Sequence, residues 1–271
     1  MKNSIRLLIF AILNLSFYSC KTVPEPDPGL FTDADIDTTL HIQIAQEGNL
    51  TIFMIDKYMT TIVKIPRISS YIYSQRPWKS LEQIANDSNY SLVVNSSFFD
   101  ALYDDSTARS GIHYKQAGFL KINDTIYENM TVDRQLSRLF AYNSKRNIVR
   151  YFYPDELDKT KDYDLVVQTG PMIIDKNEID TASINSSING NRQAYRTTFA
   201  SINGTEFYAI VTLSNVTLTN LAKMLRSTGI FKKGLNIINF DGGPSTKLYI
   251  RNHPELSWFS NVPWPLIICV K

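Results

Sequence analysis

The sequence predicts an α+β fold: a single domain with a mixed or antiparallel β-sheet core and two or three packed helices. Three observations carry this. Short β-rich segments recur from about residue 39 onward with turn residues between them. Only two segments, 79–88 and 218–228, show a helical apolar stripe. A length of 271 residues without internal repeats fits one domain of this class after a short leader.

The elements follow in order. Lys2 and Arg6 precede an apolar stretch, Leu7 to Leu15, and Cys20 comes just after it. This reads as a signal peptide over 1–19, too short to span a bilayer, with Cys20 placed like the lipidated cysteine of a bacterial lipoprotein. A plain signal peptide with an unrelated cysteine is the other reading. Residues 20–38, rich in proline and acids, read as an extended tether. The domain proper is expected over 39–271.

Within it, His41 to Ile44, Leu50 to Ile55 and Thr61 to Ile65 read as strands, the last two joined at Asp56-Lys57-Tyr58. Residues 79–88 read as a helix with Leu81, Ile84 and Ala85 on one face, and Leu92-Val93-Val94 as a short buried strand. Residues 101–117 are polar and read as a long loop. Strands are expected at 118–122, 138–142, 147–153 and 164–168, then a second long loop over 175–193. Strands at 196–202 and 206–213 flank Asn203-Gly204, a type I′ turn signal. Helix 218–228 has Thr217 or Thr219 as a cap, Leu218, Leu221, Ala222 and Leu225 as its buried stripe, and Gly229 after its end. Leu235 to Phe240 is almost wholly apolar, as a central strand covered on both faces requires.

Composition excludes several functions. With 28 Lys+Arg against 26 Asp+Glu, the net charge of +2 gives no footprint for nucleic acid. Two cysteines cannot make a disulfide framework, and Cys269, in an apolar run, reads as a buried free thiol. His41, His113 and His253 show no metal-ligand spacing. No cofactor or metal is expected. Asp100, Asp104 and Asp105 are the one grouping that would suit a structural calcium, without an EF-hand pattern, and a solvated acidic loop is the plainer reading.

Three segments hold residues suited to chemistry. Asn239-Phe240-Asp241-Gly242-Gly243-Pro244-Ser245-Thr246 puts a carboxylate at the mouth of a buried strand, followed by glycines that let a ligand approach and by two hydroxyls. It fits an active-site Asp with an anion- or sugar-binding loop, and equally a Gly-rich turn whose Asp bonds its own backbone. Asn95-Ser96-Ser97-Phe98-Phe99-Asp100 offers an amide and a carboxylate, although alone it is more simply a polar turn. Arg196-Thr197 opens a strand with a planar cation suited to phosphate; alone, a surface ion pair is the simpler reading.

Taken in order, with Gly170 to Ile173 and helix 218–228 between them, these segments resemble the phosphodiester glycosidase family. That family includes the animal enzyme that uncovers mannose-6-phosphate by removing N-acetylglucosamine, and secreted or lipid-anchored bacterial proteins linked to exopolysaccharides. The resemblance spans about residues 90–250 and is most specific at D-G-G-P-S-T. The chain departs from the family pattern at Ser96 and Ser97, where glycines are usual, and at Thr198-Phe199-Ala200 after the Arg-Thr pair.

The resemblance implies hydrolysis of a sugar-1-phosphodiester at its anomeric carbon, releasing free sugar. It implies Asp241 as the carboxylate beside that carbon, Asp100 as a second acid or base, and His113 behind it. Arg196 would bind the phosphate, aided by the Gly242 and Gly243 N–H groups and the Ser245 and Thr246 hydroxyls, and Asn95 would hold sugar hydroxyls. The implied partners are a phosphoglycan substrate and, through lipidated Cys20, a membrane of the bacterial cell envelope, on its periplasmic side or at the cell surface. The competing expectation is a non-catalytic, glycan-binding surface lipoprotein of the same fold, with Trp258, Phe259 and Trp264 as a sugar platform or, more simply, as core.

Overall fold

Ile42–Glu47 (β1), Leu50–Ile55 (β2) and Thr60–Ile65 (β3) form an antiparallel meander. Tyr58 and Met59 take positive φ in the turn before β3. The computed structural model describes residues 39–73, 79–102, 113–257 and 266–271, all within one compact unit. The expected leader and tether, Cys20, Asp104, Asp105, and the aromatics Trp258, Phe259 and Trp264 lie outside the described residues, as do the side chains of Asp100 and His113.

Ser70–Tyr73 (β4) precedes Leu81–Ser88 (α1). Ser80 caps α1 by accepting from Gln83 N, Gln83 returns the bond to Ser80 N, and Asn89 ends the helix at φ 58°. Leu92–Asn95 (β5) leads to Phe99–Leu102 (β6) and His113–Gln116 (β7), which pair antiparallel. The expected loop over 101–117 is therefore bounded by a two-stranded ribbon. Leu120–Ile122 (β8), Thr125–Glu128 (β9), Arg138–Asn143 (β10), Ile148–Phe152 (β11) and Leu165–Thr169 (β12) build a five-stranded sheet ordered β11-β10-β12-β8-β9.

Met172–Asp175 (β13), Glu178–Ile179 (β14) and Thr181–Ser186 (α2) occupy much of the segment expected to be a loop over 175–193. Asp180 holds the start of α2, accepting from both Ser183 N and Ser183 Oγ. Ala194–Ile202 (β15) and Glu206–Val216 (β16) are the longest strands, and both residues of their turn take positive φ (Asn203 53°, Gly204 75°), as a type I′ turn demands. Leu218–Arg226 (α3) is capped by Thr217, not Thr219, through Asn220 N. Leu235–Asn239 (β17), Leu248–Ile250 (β18) and Leu266–Val270 (β19) complete the chain.

Every described strand pair is antiparallel, and the domain is mixed α+β. The main sheet runs β1-β2-β3-β16-β15-β17-β13-β14, and a four-stranded sheet runs β18-β5-β19-β4. One face of the main sheet packs on the five-stranded and four-stranded sheets through Phe140, Phe199, Phe207, Ile238, Phe240 and Leu266. Its other face packs on α2 and α3 through Ile184, Leu221, Leu225, Ala200 and Ile237. β17 is thus covered on both faces, which is why its sequence is almost continuously apolar. Cys269 is a buried free thiol beneath α1, and burial pushes it up to about 12.

Candidate functional site

Asp241 emerges where β17 runs out. Phe240 just before it is fully buried, edge-on to Phe140 with centroids 5.4 Å apart, and burying such a ring contributes about 2–3 kcal/mol. The Phe240 N–H donates to Thr197 O at 2.8 Å. The strand is therefore anchored up to the residue preceding the carboxylate.

The two glycines then do different things. A Cβ at Gly242 would lie 2.5 Å from the main-chain oxygen of Tyr195, so the turn passes too close to β15 for any side chain. Gly243 has open space around it but sits at φ 64°. Gly243–Ser245 forms a short 3₁₀ turn that folds the Ser245 side chain back.

The Ser245 hydroxyl and the Gly242 N–H lie beside the Asp241 carboxyl. Both donors favour the charged form. Burial outweighs them and pushes the carboxyl up to about 7, although Asp241 keeps partial solvent access. A carboxyl with that value can take or give a proton at neutral pH. Ser245 and Gly242, expected as phosphate donors, lie beside this carboxyl.

Asn95 brackets the site. Its Nδ2 donates to Asp241 O at 2.9 Å, while its Oδ1 accepts from Thr197 Oγ1 and from Lys247 N, each at 2.9 Å. The residue is 1% exposed. Both acceptor positions of the amide are filled by protein. The amide thereby joins β5, β15 and the Asp241 turn.

Arg196 lies near the start of β15. It is buried, its Nε donates to Val216 O at 3.2 Å, and one Nη donates to Asn189 O at 3.1 Å and to Arg192 O. Burial, helped by the nearby Arg192 charge, lowers its guanidinium to about 10. These bonds pin the segment after α2 to the end of β16. The reason is local: a bulge between Ala194 and Arg196 lets the side chain meet that segment's carbonyls.

Asp100 lies on β6 with Lys115 as its register partner. Thr246 is fully buried, and its hydroxyl has no hydrogen-bond partner. The sequence reading missed Lys247, one residue past D-G-G-P-S-T. It is 5% exposed, and burial lowers its ammonium to about 8. A lysine beginning an otherwise apolar strand, Leu248-Tyr249-Ile250, was the available signal. Among the described residues, no group of three or more His, Cys, Asp or Glu is placed to hold a metal ion. No helix among them is long and apolar enough to cross a membrane.

The fold has counterparts among solved structures. The catalytic domain of zebrafish N-acetylglucosamine-1-phosphodiester α-N-acetylglucosaminidase, auto-inhibited by its pro-peptide, superposes with a TM-score of 0.50 at 14% identity, over 85% of this chain and 81% of that one. A hypothetical protein from Synechocystis matches with a TM-score of 0.46 at 12% identity, over 86% of this chain and 62% of that one. An exported protein from Burkholderia pseudomallei matches at 0.40 and 9%, over 82% of this chain and 74% of that one. No curated protein matches the chain in sequence. The family model for phosphodiester glycosidases matches residues 88–270, which takes in Asn95, Arg196 and the whole Asp241 turn. By that match, the chain belongs to the phosphodiester glycosidase family.

Proposed function

We propose that this protein hydrolyses a sugar-1-phosphodiester in an envelope or extracellular glycan. The supporting observation is the Asp241 carboxyl, at the end of a buried strand anchored by the Phe240 N–H to Thr197 O and raised by burial to about 7. Acting as a base, it takes a proton from water as the water oxygen bonds to the anomeric carbon. The bond from that carbon to the phosphate oxygen breaks, and its electron pair leaves on the phosphate. The products are the free sugar and a phosphomonoester. A phosphate leaves far more readily than an alkoxide, so one well-placed carboxylate carries most of the chemistry. The proposed setting is the bacterial cell envelope, with Cys20 lipidated after removal of residues 1–19, on its periplasmic side or at the cell surface.

The test is a panel of α-sugar-1-phosphodiesters, N-acetylglucosamine included, assayed for released reducing sugar. Release by the wild type supports the reading. Binding of sugars without release from any member replaces it with the glycan-binding one.

A further inference from the structure

Asp241 follows one end of β17, and the other end of that strand borders a separate cavity. Asn236, near the start of β17, lies five residues before Asp241, roughly 16 Å away along an extended strand. It is the register partner of Ser201 on β15. By alternation both share the sheet face of Phe199 and Ile238, which packs on the five-stranded sheet. β11 is an edge strand of that smaller sheet. Its Val149 N–H donates to Gly204 O at 2.8 Å, so the edge closes on the β15–β16 turn. A Cβ on Gly204 would lie 2.0 Å from Arg150 Nη1 and 2.4 Å from Val149 O, so glycine alone permits this approach. The junction leaves a partly open cavity of about 350 Å³, with Arg150, Tyr151, Lys176, Ser201, Asn203 and Asn236 among its walls.

The groups at this cavity have hydrogens to spare. Arg150 Nη1 donates to Val149 O at 3.0 Å and to Asn203 O at 3.2 Å, which fixes the guanidinium at the turn. Its Nη2 and Nε have no acceptor among the described residues, and neither Arg150 nor Lys176 has a carboxylate partner there. Tyr151 Oη and Ser201 Oγ lie 3.0 Å apart, so one donates to the other and the accepting hydroxyl keeps a hydrogen for a further partner. Burial holds the Tyr151 phenol well above its ordinary range, and it stays a neutral donor. The Asn203 amide packs on Gly234, where a Cβ would lie 2.0 Å from its Oδ1, and has no hydrogen-bond partner among the described residues.

Two cations without counter-ions on the wall of one cavity make its potential positive. The free Nε and Nη2 of a guanidinium match the paired oxygens of a carboxylate or phosphate. The leftover hydroxyl hydrogen and the amide suit sugar hydroxyls. A cavity of this volume is at the small end of ligand sites and has room for one sugar ring.

We propose that this cavity is a second glycan subsite, which takes a sugar unit bearing one anionic group, with Arg150 as the fork for the anion and Lys176 as the second cation. The proposal rests on the phosphoglycan reading above: a polymer with anionic repeats reaches both ends of β17 at once, and a single sugar reaches one.

Titration calorimetry on the full chain at low salt compares glucuronate and glucose 6-phosphate with neutral glucose. At least one acidic sugar should bind about tenfold or more tighter than glucose and weaken as salt rises. The tighter of the two identifies the anion as carboxylate or phosphate. Lys176→Gln, on an exposed turn, should weaken that sugar about threefold to tenfold, with the Tm and the affinity for glucose unchanged. Arg150→Gln should weaken it further and lower the Tm, because Val149 O and Asn203 O lose their donor. Arg150→Lys should recover only part of the affinity, since an ammonium cannot form the two-pronged pair. Asp241→Asn should bind the acidic sugar as the wild type does. Loss of binding in Asp241→Asn but not in Lys176→Gln would place the sugar at the Asp241 turn and overturn the proposal, and so would equal affinity for all three sugars. If the wild type cleaves sugar phosphodiesters but binds neither acidic sugar, this inference fails and the proposed function stands. If it cleaves none, yet binds an acidic sugar that Lys176→Gln and Arg150→Gln bind more weakly, the function fails and the subsite stands.

Discussion

The Asn95 side chain donates from Nδ2 to the main-chain oxygen of Asp241 at 2.9 Å, joining residues 146 positions apart in sequence. The same amide accepts from Thr197 and Lys247. Three family motifs are therefore wired through one buried group, and the carboxylate's position depends on a residue that need not touch substrate.

Asn95→Ala should accordingly destabilise the fold as well as the site. It strands a hydroxyl, an N–H and a carbonyl, for a loss of about 2–4 kcal/mol. Denaturant melts would show this as a lower midpoint with an unchanged slope, and sugar release would fall with it. A variant with wild-type stability and lost activity would return Asn95 to a direct role on the substrate.

Arg196→Met tests a similar distinction. Leaving the Val216, Asn189 and Arg192 carbonyls without their donor should lower stability by about 3 kcal/mol. Binding of phosphodiesters and of neutral glycosides should fall together. A loss confined to phosphodiesters would make Arg196 the phosphate cation after all.

The two glycines should respond unequally. Gly242→Ala drives a Cβ against the Tyr195 oxygen and must shift β15 or the turn, so activity should collapse. Gly243→Ala meets no atom and carries only the strain of a positive φ, about 1–2 kcal/mol. Parallel activity and melting curves for the pair decide it, and equal damage would contradict the packing described.

Asp241 also links stability to pH. Its folded carboxyl titrates at about 7, against an ordinary 3.8, so the folded state binds the proton more tightly than the unfolded chain. Its contribution is fully present below about pH 4 and is lost as pH rises through 7. Asp241→Asn should therefore melt higher than the wild type at pH 8, with the gap closing toward pH 4. A constant gap across that range would place the carboxyl at its ordinary value.

Much of the fold was legible in the sequence, because alternation and turn chemistry act locally. β2, the Asn203-Gly204 hairpin and the apolar run of β17 each carry their own signal. The short helix α2 does not: Thr181-Ala182-Ser183-Ile184-Asn185-Ser186 has one apolar residue facing the core and is held by the Asp180 cap and by packing. The site was legible as motifs but not as contacts. D-G-G reads correctly as a turn, yet nothing near Asn95 in sequence shows that its amide is filled by Thr197 and Lys247. Likewise, the carbonyls that engage Arg196 belong to segments on either side of its strand.

The central claim is that Asp241, with its carboxyl near 7, is the base of the hydrolysis, and the pH dependence of sugar release tests it most directly. Using a sugar-1-phosphodiester that the wild type cleaves, kcat/KM should rise with pH to a plateau above about 7, and Asp241→Asn should fall by about 100- to 10,000-fold and lose that inflection. Wild-type-like release by Asp241→Asn, or an unchanged inflection in its residual activity, would remove Asp241 from the chemistry.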